Sequence, residues 1–250
     1  MYYARRGRKK RGGLSFGRAL VSLAAFCFLI ATAAYLYTVS VWNPDMPALL
    51  VERVDHISAT HGGFVPLPDI PVFLQRALIA TEDRSFYHNY GVDFEGLARA
   101  LWVDLQSGRP VQGGSTITEQ LVKDIFLTDQ KTIPRKLKQI VYAVLISRYF
   151  TKNRILALYL NEVYLGQNAY GVGEAARTYF GKPVRDLSPA QSALIAGLPQ
   201  APSLYDPFAH YRLAKQRQAE VLQSMAAVGF ITGAEAQVLE RAPLHLARRP

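Results

Sequence analysis

The chain has 250 residues, half of them apolar, which suffices for one medium-sized core plus one membrane segment and excludes a second large domain. Its formal charge is +10, but seven of the 29 basic residues (Arg5, Arg6, Arg8, Lys9, Lys10, Arg11 and Arg18) crowd the first 18 positions and no acid precedes Asp45. The remaining 22 basic against 19 acidic residues leave a balance of +3, too slight for a nucleic-acid binder, so the basic excess reads as a topology signal.

After this basic leader, 1–18, residues 19–43 carry no charge and are dense in Val, Leu, Ile and Phe, as a membrane-crossing helix requires. Basic residues before it and Asp45 after it predict a cytoplasmic N-terminus with the rest outside, and Tyr35, Tyr37 and Trp42 suit the outer interface. The competing reading is a cleaved signal peptide, since Ala31, Thr32 and Ala33 form a small-x-small site. The single cysteine, Cys27, lies in this span, so the outer domain is expected to hold by packing alone. Residues 44–64 read as a connector, 65–242 as the folded domain and 243–250 as a tail.

The domain reads as helical almost throughout. Pro71 fits a first helical turn, and Leu74, Ala77, Leu78 and Thr81 form a stripe at three- and four-residue steps. Glu82 continues it, so its carboxylate is expected to be partly desolvated and its proton affinity raised toward that of a working base; the alternative is a surface acid paired with Arg84. A second helix follows Gly113 and Gly114, with Thr116 and Glu119 as a capping box. Leu121, Val122, Ile125 and Phe126 make its core face, and Thr116, Gln120 and Lys123 make a polar face that reads either as functional or as solvated.

Pro134 marks a third start, with Arg135, Lys136 and Lys138 in a first turn where the macrodipole disfavours cations. An anion docked there would explain them, as would pairing with Asp129. Thr151 caps the next helix, with Ile155, Leu156, Tyr159 and Leu160 as core. Ser188 and Pro189 open a short helix closed by Gly197, and 206–228 reads as a long helix ending at Gly229. Thr232 with Glu235 is a further capping box. No phosphate-binding glycine loop or metal-ligand spacing occurs, and His56, His61 and His210 are isolated.

Six runs carry a resemblance: EDRSFYHNYGVD at 82–93, GGSTITEQLVKD at 113–124, RKLKQ at 135–139, KNRILALYLNEVYLG at 152–166, YGVGEAARTYFGK at 170–182 and IAGLPQAP at 195–202. In this order the chain resembles the peptidoglycan glycosyltransferases, or transglycosylases, family 51 of the glycosyltransferases, over about residues 65–208. The resemblance implies a mainly α, lysozyme-like fold with a small membrane-apposed jaw at 94–112, preceded by one transmembrane helix. It implies polymerisation of lipid II into glycan strands, inhibition by moenomycin, a bacterial inner-membrane location, and no required cofactor, with Mg2+ or Mn2+ an optional aid. A transpeptidase or other cell-wall assembly protein is a candidate partner. No S-x-x-K or K-T-G motif follows, so the monofunctional type or a truncated bifunctional chain is expected.

By position, Glu82 matches the catalytic base; Lys123, Arg135 and Lys136 match the residues that hold the donor diphosphate; Ser115, Thr116 and Gln120 match the cleft lining. Lys131 and Gln139 fall at further substrate-binding positions, and Asp83, Phe86 and His88 at the shell that orients Glu82. Four positions depart from the pattern: Gln139 replaces the Glu of RKxxE, Glu119 the first Gln of TQQ, Lys131 an Arg, and Gln191 a Glu. Gln139 cannot ionise, which opens two alternatives: a slower enzyme, or a lipid II-binding scaffold that lost catalysis. A strand-cleaving muramidase is the third reading, disfavoured because a neutral glycan needs no cation cluster. One base can suffice for glycosyl transfer, since a diphosphate leaves as a stabilised anion and needs no second carboxyl group to protonate it.

Overall fold

The computed structural model describes residues 44–60, 62–96, 99, 114–127, 130 and 132–247 of one unit (Pro44–Pro250) and, in a separate unit (Met1–Asn43), Asn43 and the helical residues 25–26, 28–29, 32–33 and 36–40. The leader, Cys27, His61, Asp129, Lys131, most of the apolar span 19–43 and most of the jaw 94–112 lie outside the described residues. Among the described residues no helix is long and apolar enough to cross a membrane.

Nine α-helices are described in the second unit: α1 Met46–Thr60, α2 Val72–Glu82, α3 Ile117–Phe126, α4 Ile133–Tyr149, α5 Lys152–Glu162, α6 Gly171–Phe180, α7 Pro189–Gly197, α8 Tyr211–Ala227 and α9 Gly233–Arg241. Among the described residues there is no strand, only one antiparallel bridge between Tyr164 and Tyr170. Helix starts follow cap chemistry. Thr116, Thr132, Thr151, Ser188 and Thr232 each accept the backbone N–H three residues on, which satisfies a donor that the first turn leaves orphaned. The capping boxes at Thr116–Glu119 and Thr232–Glu235 form as the sequence predicts.

Two stretches differ from expectation. Residues 46–60, read as connector, form α1, whose Met46, Leu50 and Val54 recur at four-residue steps and are buried on the side that packs against α5. The helix expected from 206 begins at Tyr211. Asp206 accepts the N–H of Phe208 at 2.9 Å and its carbonyl receives Ala209 and His210, which makes a local turn that competes with helix.

The core has two contiguous parts. The helices α2, α7 and α8 pack mutually, and the small side chains of α7 (Ala190, Ser192, Ala193, Ala196, Gly197) let the other two approach closely. The α5 helix touches α1, α3 and α6, and every residue from Ile155 to Glu162 is buried. A helix enclosed on all sides anchors its neighbours, since each large aliphatic side chain so buried contributes about 1.5–3 kcal/mol. The segment after α9 is also fastened, because Gln191 Nε2 donates to Leu244 O at 2.7 Å and Ala247 N to Tyr179 O at 2.8 Å.

Candidate active site

Glu82 is the last residue of α2, where the buried stripe of Leu74, Ala77 and Leu78 delivers it to the point at which α3, α5 and α8 converge. Its side chain is 13% exposed. Gln120 Nε2 donates to Glu82 Oε2 at 2.8 Å, and Tyr159 on α5 donates its hydroxyl to Gln120 Oε1 at 2.9 Å. Burial, reinforced by the Glu82 charge, holds the Tyr159 phenol protonated; it is therefore a committed donor and fixes which end of the amide faces Glu82.

Arg217 on α8 lies against the other oxygen, Nη2 to Glu82 Oε1 at 3.8 Å, with its own side chain only 11% exposed. Arg217 is held by Gly197 O (3.1 Å), by Glu220 (2.9 Å) and by the face of Tyr205 (5.8 Å to the centroid). A Cβ at position 197 would press on the Arg217 stem, so the glycine that ends α7 is what lets this side chain cross. Burial raises the proton affinity of Glu82 above the ordinary carboxylate value; the Gln120 hydrogen bond and the Arg217 charge oppose it. The surface pairing with Arg84 is not formed, because Arg84 is exposed and turns back to Ala80 O at 3.1 Å.

Asp83 lines the same cleft, but its carboxylate is engaged by neighbouring donors. Buried at the C-terminus of α2, it accepts from Asn89 (3.0 and 3.1 Å), from Ser85 (3.0 Å) and from the backbone N–H of Ile117 (3.2 Å), which ties the end of α2 to the first turn of α3. Burial raises its proton affinity against these bonds and the charge of Lys152. Lys152 Nζ reaches Asn89 Oδ1 at 2.8 Å and lies over the fully buried Phe86 ring at 4.8 Å. The loop between then presses onto α4 at Gly91 (φ +91°), where a Cβ would collide with the Ala143 carbonyl, and Gly91 O receives the Thr116 hydroxyl at 2.6 Å. His88 is exposed and stands outside this network, unlike Asp83 and Phe86.

A cleft of about 490 Å³ opens beside Glu82, and its described lining includes Ser115, Thr116, Gln120, Arg84, Arg99 and Arg217. The sequence reading named the first three and missed the three arginines. Arg217 lies 135 residues after Glu82 in sequence, in a run that reads as amphipathic helix, and only tertiary packing brings it to the acid. Of the expected diphosphate holders, Lys136 reaches the cleft wall, its Nζ donating to Ser115 Oγ at 2.9 Å. Arg135 points to Gln139 Oε1 (3.3 Å) with its Nε unbonded among the described residues, and Lys123 pairs with the neighbouring Asp124 at 2.6 Å. The described lining includes none of Lys123, Arg135 and Lys136, and Lys131 lies outside the described residues. Among the described residues no three His, Cys, Asp or Glu side chains gather as a metal would require.

A model of the family described as transglycosylase matches residues 50–226. Penicillin-binding protein 1A of Aquifex aeolicus is 42% identical over 207 residues, covering 81% of this chain and 28% of its own length; that of Neisseria flavescens is 37% identical over 244 residues, covering 94% and 31%. A crystal structure of penicillin-binding protein 1A from Haemophilus influenzae aligns at 24% identity with a TM-score of 0.44, covering 74% of this chain and 18% of that one. The chain thus spans less than a third of the length of these curated relatives.

Proposed function

The chain belongs to the transglycosylase family, and from that membership we propose that it polymerises lipid II into β-1,4 glycan strands, with Glu82 as the base. The observation that carries the proposal is the setting of Glu82: a half-buried carboxylate of raised proton affinity on a cleft lined also by Arg84, Arg99 and Arg217, where the second acid of raised proton affinity, Asp83, is taken up by its own hydrogen bonds. Glu82 takes the proton of the acceptor 4-hydroxyl, the freed oxygen bonds to C1 of the lipid-linked donor, and the C1–oxygen bond to diphosphate breaks with its electron pair leaving on the diphosphate. Attack opposite the α-linked leaving group inverts the centre. Arg217, Arg84 and Arg99 on the cleft wall, with Lys136 behind Ser115, offset the negative charge that develops, so no second carboxylic acid has to protonate the leaving group.

The helical body is read as lysozyme-like, with 94–112 as a jaw against the membrane and 19–43 as a single anchor that leaves the domain outside the cytoplasm. A transpeptidase or another cell-wall assembly protein is the partner such a domain would serve. The non-catalytic scaffold reading rests on Gln139 alone, whereas the raised proton affinity and low exposure of Glu82 are what a working base needs. The test is a gel of fluorescent lipid II incubated with detergent-solubilised protein, with and without Mg2+ or Mn2+ and with and without moenomycin. A ladder of polymer that moenomycin removes is expected. Unchanged lipid II under every condition would refute the proposal.

A further inference from the structure

Arg217 is fastened at two of its three nitrogens and extends the third toward Glu82. Its Nε donates to Gly197 O at 3.1 Å and its Nη1 to Glu220 Oε2 at 2.9 Å, while Nη2 stands 3.8 Å from Glu82 Oε1, beyond hydrogen-bond reach. Two carboxylates thus flank one guanidinium, and Glu220, three residues along α8, holds it more closely than Glu82 does. Glu82 Oε2 is taken by Gln120, which leaves Oε1 for proton transfer, and Nη2 makes no hydrogen bond among the described residues. Glu220 itself is outside the described lining of the cleft, whereas Arg217 is part of it.

As a support of the fold this ion pair explains little, because the Glu220 side chain is 45% exposed and such pairs on a helix surface contribute little to stability. Its consequence is the gap. A guanidinium hydrogen-bonded to Glu82 would favour the charged carboxylate, weaken it as a base and use up the donors that an anionic substrate needs. We propose that Glu220 is a positioning residue: by holding Nη1 from outside the cleft it keeps Arg217 short of a hydrogen bond to Glu82, which leaves the carboxylate free to take the acceptor proton and Nη2 free for the anion of the lipid-linked donor. Arg217 is the charged group that α8 turns to Glu82; α5 presents the Tyr159 phenol through neutral Gln120 of α3, α7 has no titratable residue, and Asp83, Arg84, Asp93 and Arg99 share the cleft. This inference rests on the lipid II reading given above.

Wild type, E220A, R217Q and E220A/R217Q, each as the whole chain in detergent, test it. In E220A the freed guanidinium closes on Glu82, so the acid limb of kcat/KM for lipid II polymerisation is expected to move down by about 0.5 to 1 pH unit, and kcat near neutrality to fall about three- to tenfold. In the R217Q background there is no guanidinium to release, so the double variant is expected to keep the limb of R217Q. E220Q keeps an acceptor for Nη1 without the charge and is expected between wild type and E220A. A side-chain carboxyl 13C titration of the substrate-free proteins, with the Glu82 resonance identified by its loss in E82Q, reads the same shift without turnover. A limb and a Glu82 titration that stay at their wild-type positions in E220A, or that move as far in the R217Q background, overturn the proposal. A lower melting midpoint in E220A with an unmoved Glu82 titration makes the pair merely structural and also overturns it. A wild type that makes no polymer refutes the functional reading instead, while the titration still decides whether Glu220 holds Arg217 off the acid.

Discussion

The proton affinity of Glu82 is set by opposed effects, of which burial is the larger. Burial at the end of α2 pushes its proton affinity up, as suits a base, while Arg217 and Gln120 hold it from rising too far. Removing the cation should therefore move the acid limb of the rate profile. In R217Q the limb in kcat/KM for lipid II polymerisation should shift to higher pH and the rate near neutrality should fall about 10- to 100-fold, with R217K partly restoring both. An unmoved limb in R217Q would remove Arg217 from the account. At this scale the sequence was partly legible. That Glu82, Gln120, Thr116 and Ser115 share one cleft was legible from the motifs, but Arg217 and the Tyr159 donor come from α8 and α5, and no local pattern points from them to the acid.

Among the elements, the α2–α3 junction depends on Asp83, which joins a helix end to the next helix start. In D83N one acceptor of the Asn89 and Ile117 donors becomes an NH2 group, and a loss of about 2–4 kcal/mol is expected, read as a lower urea midpoint at unchanged slope. A midpoint equal to wild type would show that the bond to Ile117 carries no weight. The enclosed α5 carries a second testable charge. Glu162, buried near Asp124, Lys123 and Arg53, has its proton affinity pushed up by burial first and by Asp124 second, to about 8 from 4.5, and its Oε2 finds no hydrogen-bond partner among the described residues.

Because that native value lies above the ordinary one, the folded state binds more protons than the unfolded chain between about 4.5 and 8, and stability falls as pH rises across this window. E162Q should flatten that slope and be more stable relative to wild type at pH 8.5 than at pH 5, by several kcal/mol at most, roughly 1.4 per pKa unit. Parallel melting curves for the two proteins across pH would contradict the assignment. Cap residues made the helix starts legible in the sequence. The α1 helix was not, because its buried face is matched to α5, and the start of α8 was obscured by the Asp206 turn.

For the whole molecule, composition and helical period gave the fold class, and the motif order gave the family, since both depend on local pattern. What they left out is how charge is placed in and beside the assembled cleft: Arg217 held by Gly197 and Glu220, Lys136 held by Glu119 behind Ser115, and Gln139 enclosed as a neutral amide. On the proposed mechanism these cations are what lets a single base suffice. The most direct measurement is the initial rate of lipid II polymerisation by wild type and by E82Q, both shown folded by equal melting midpoints. The rate should fall by at least about 100-fold in E82Q. Polymer formed by E82Q at the wild-type rate would contradict the account at its centre.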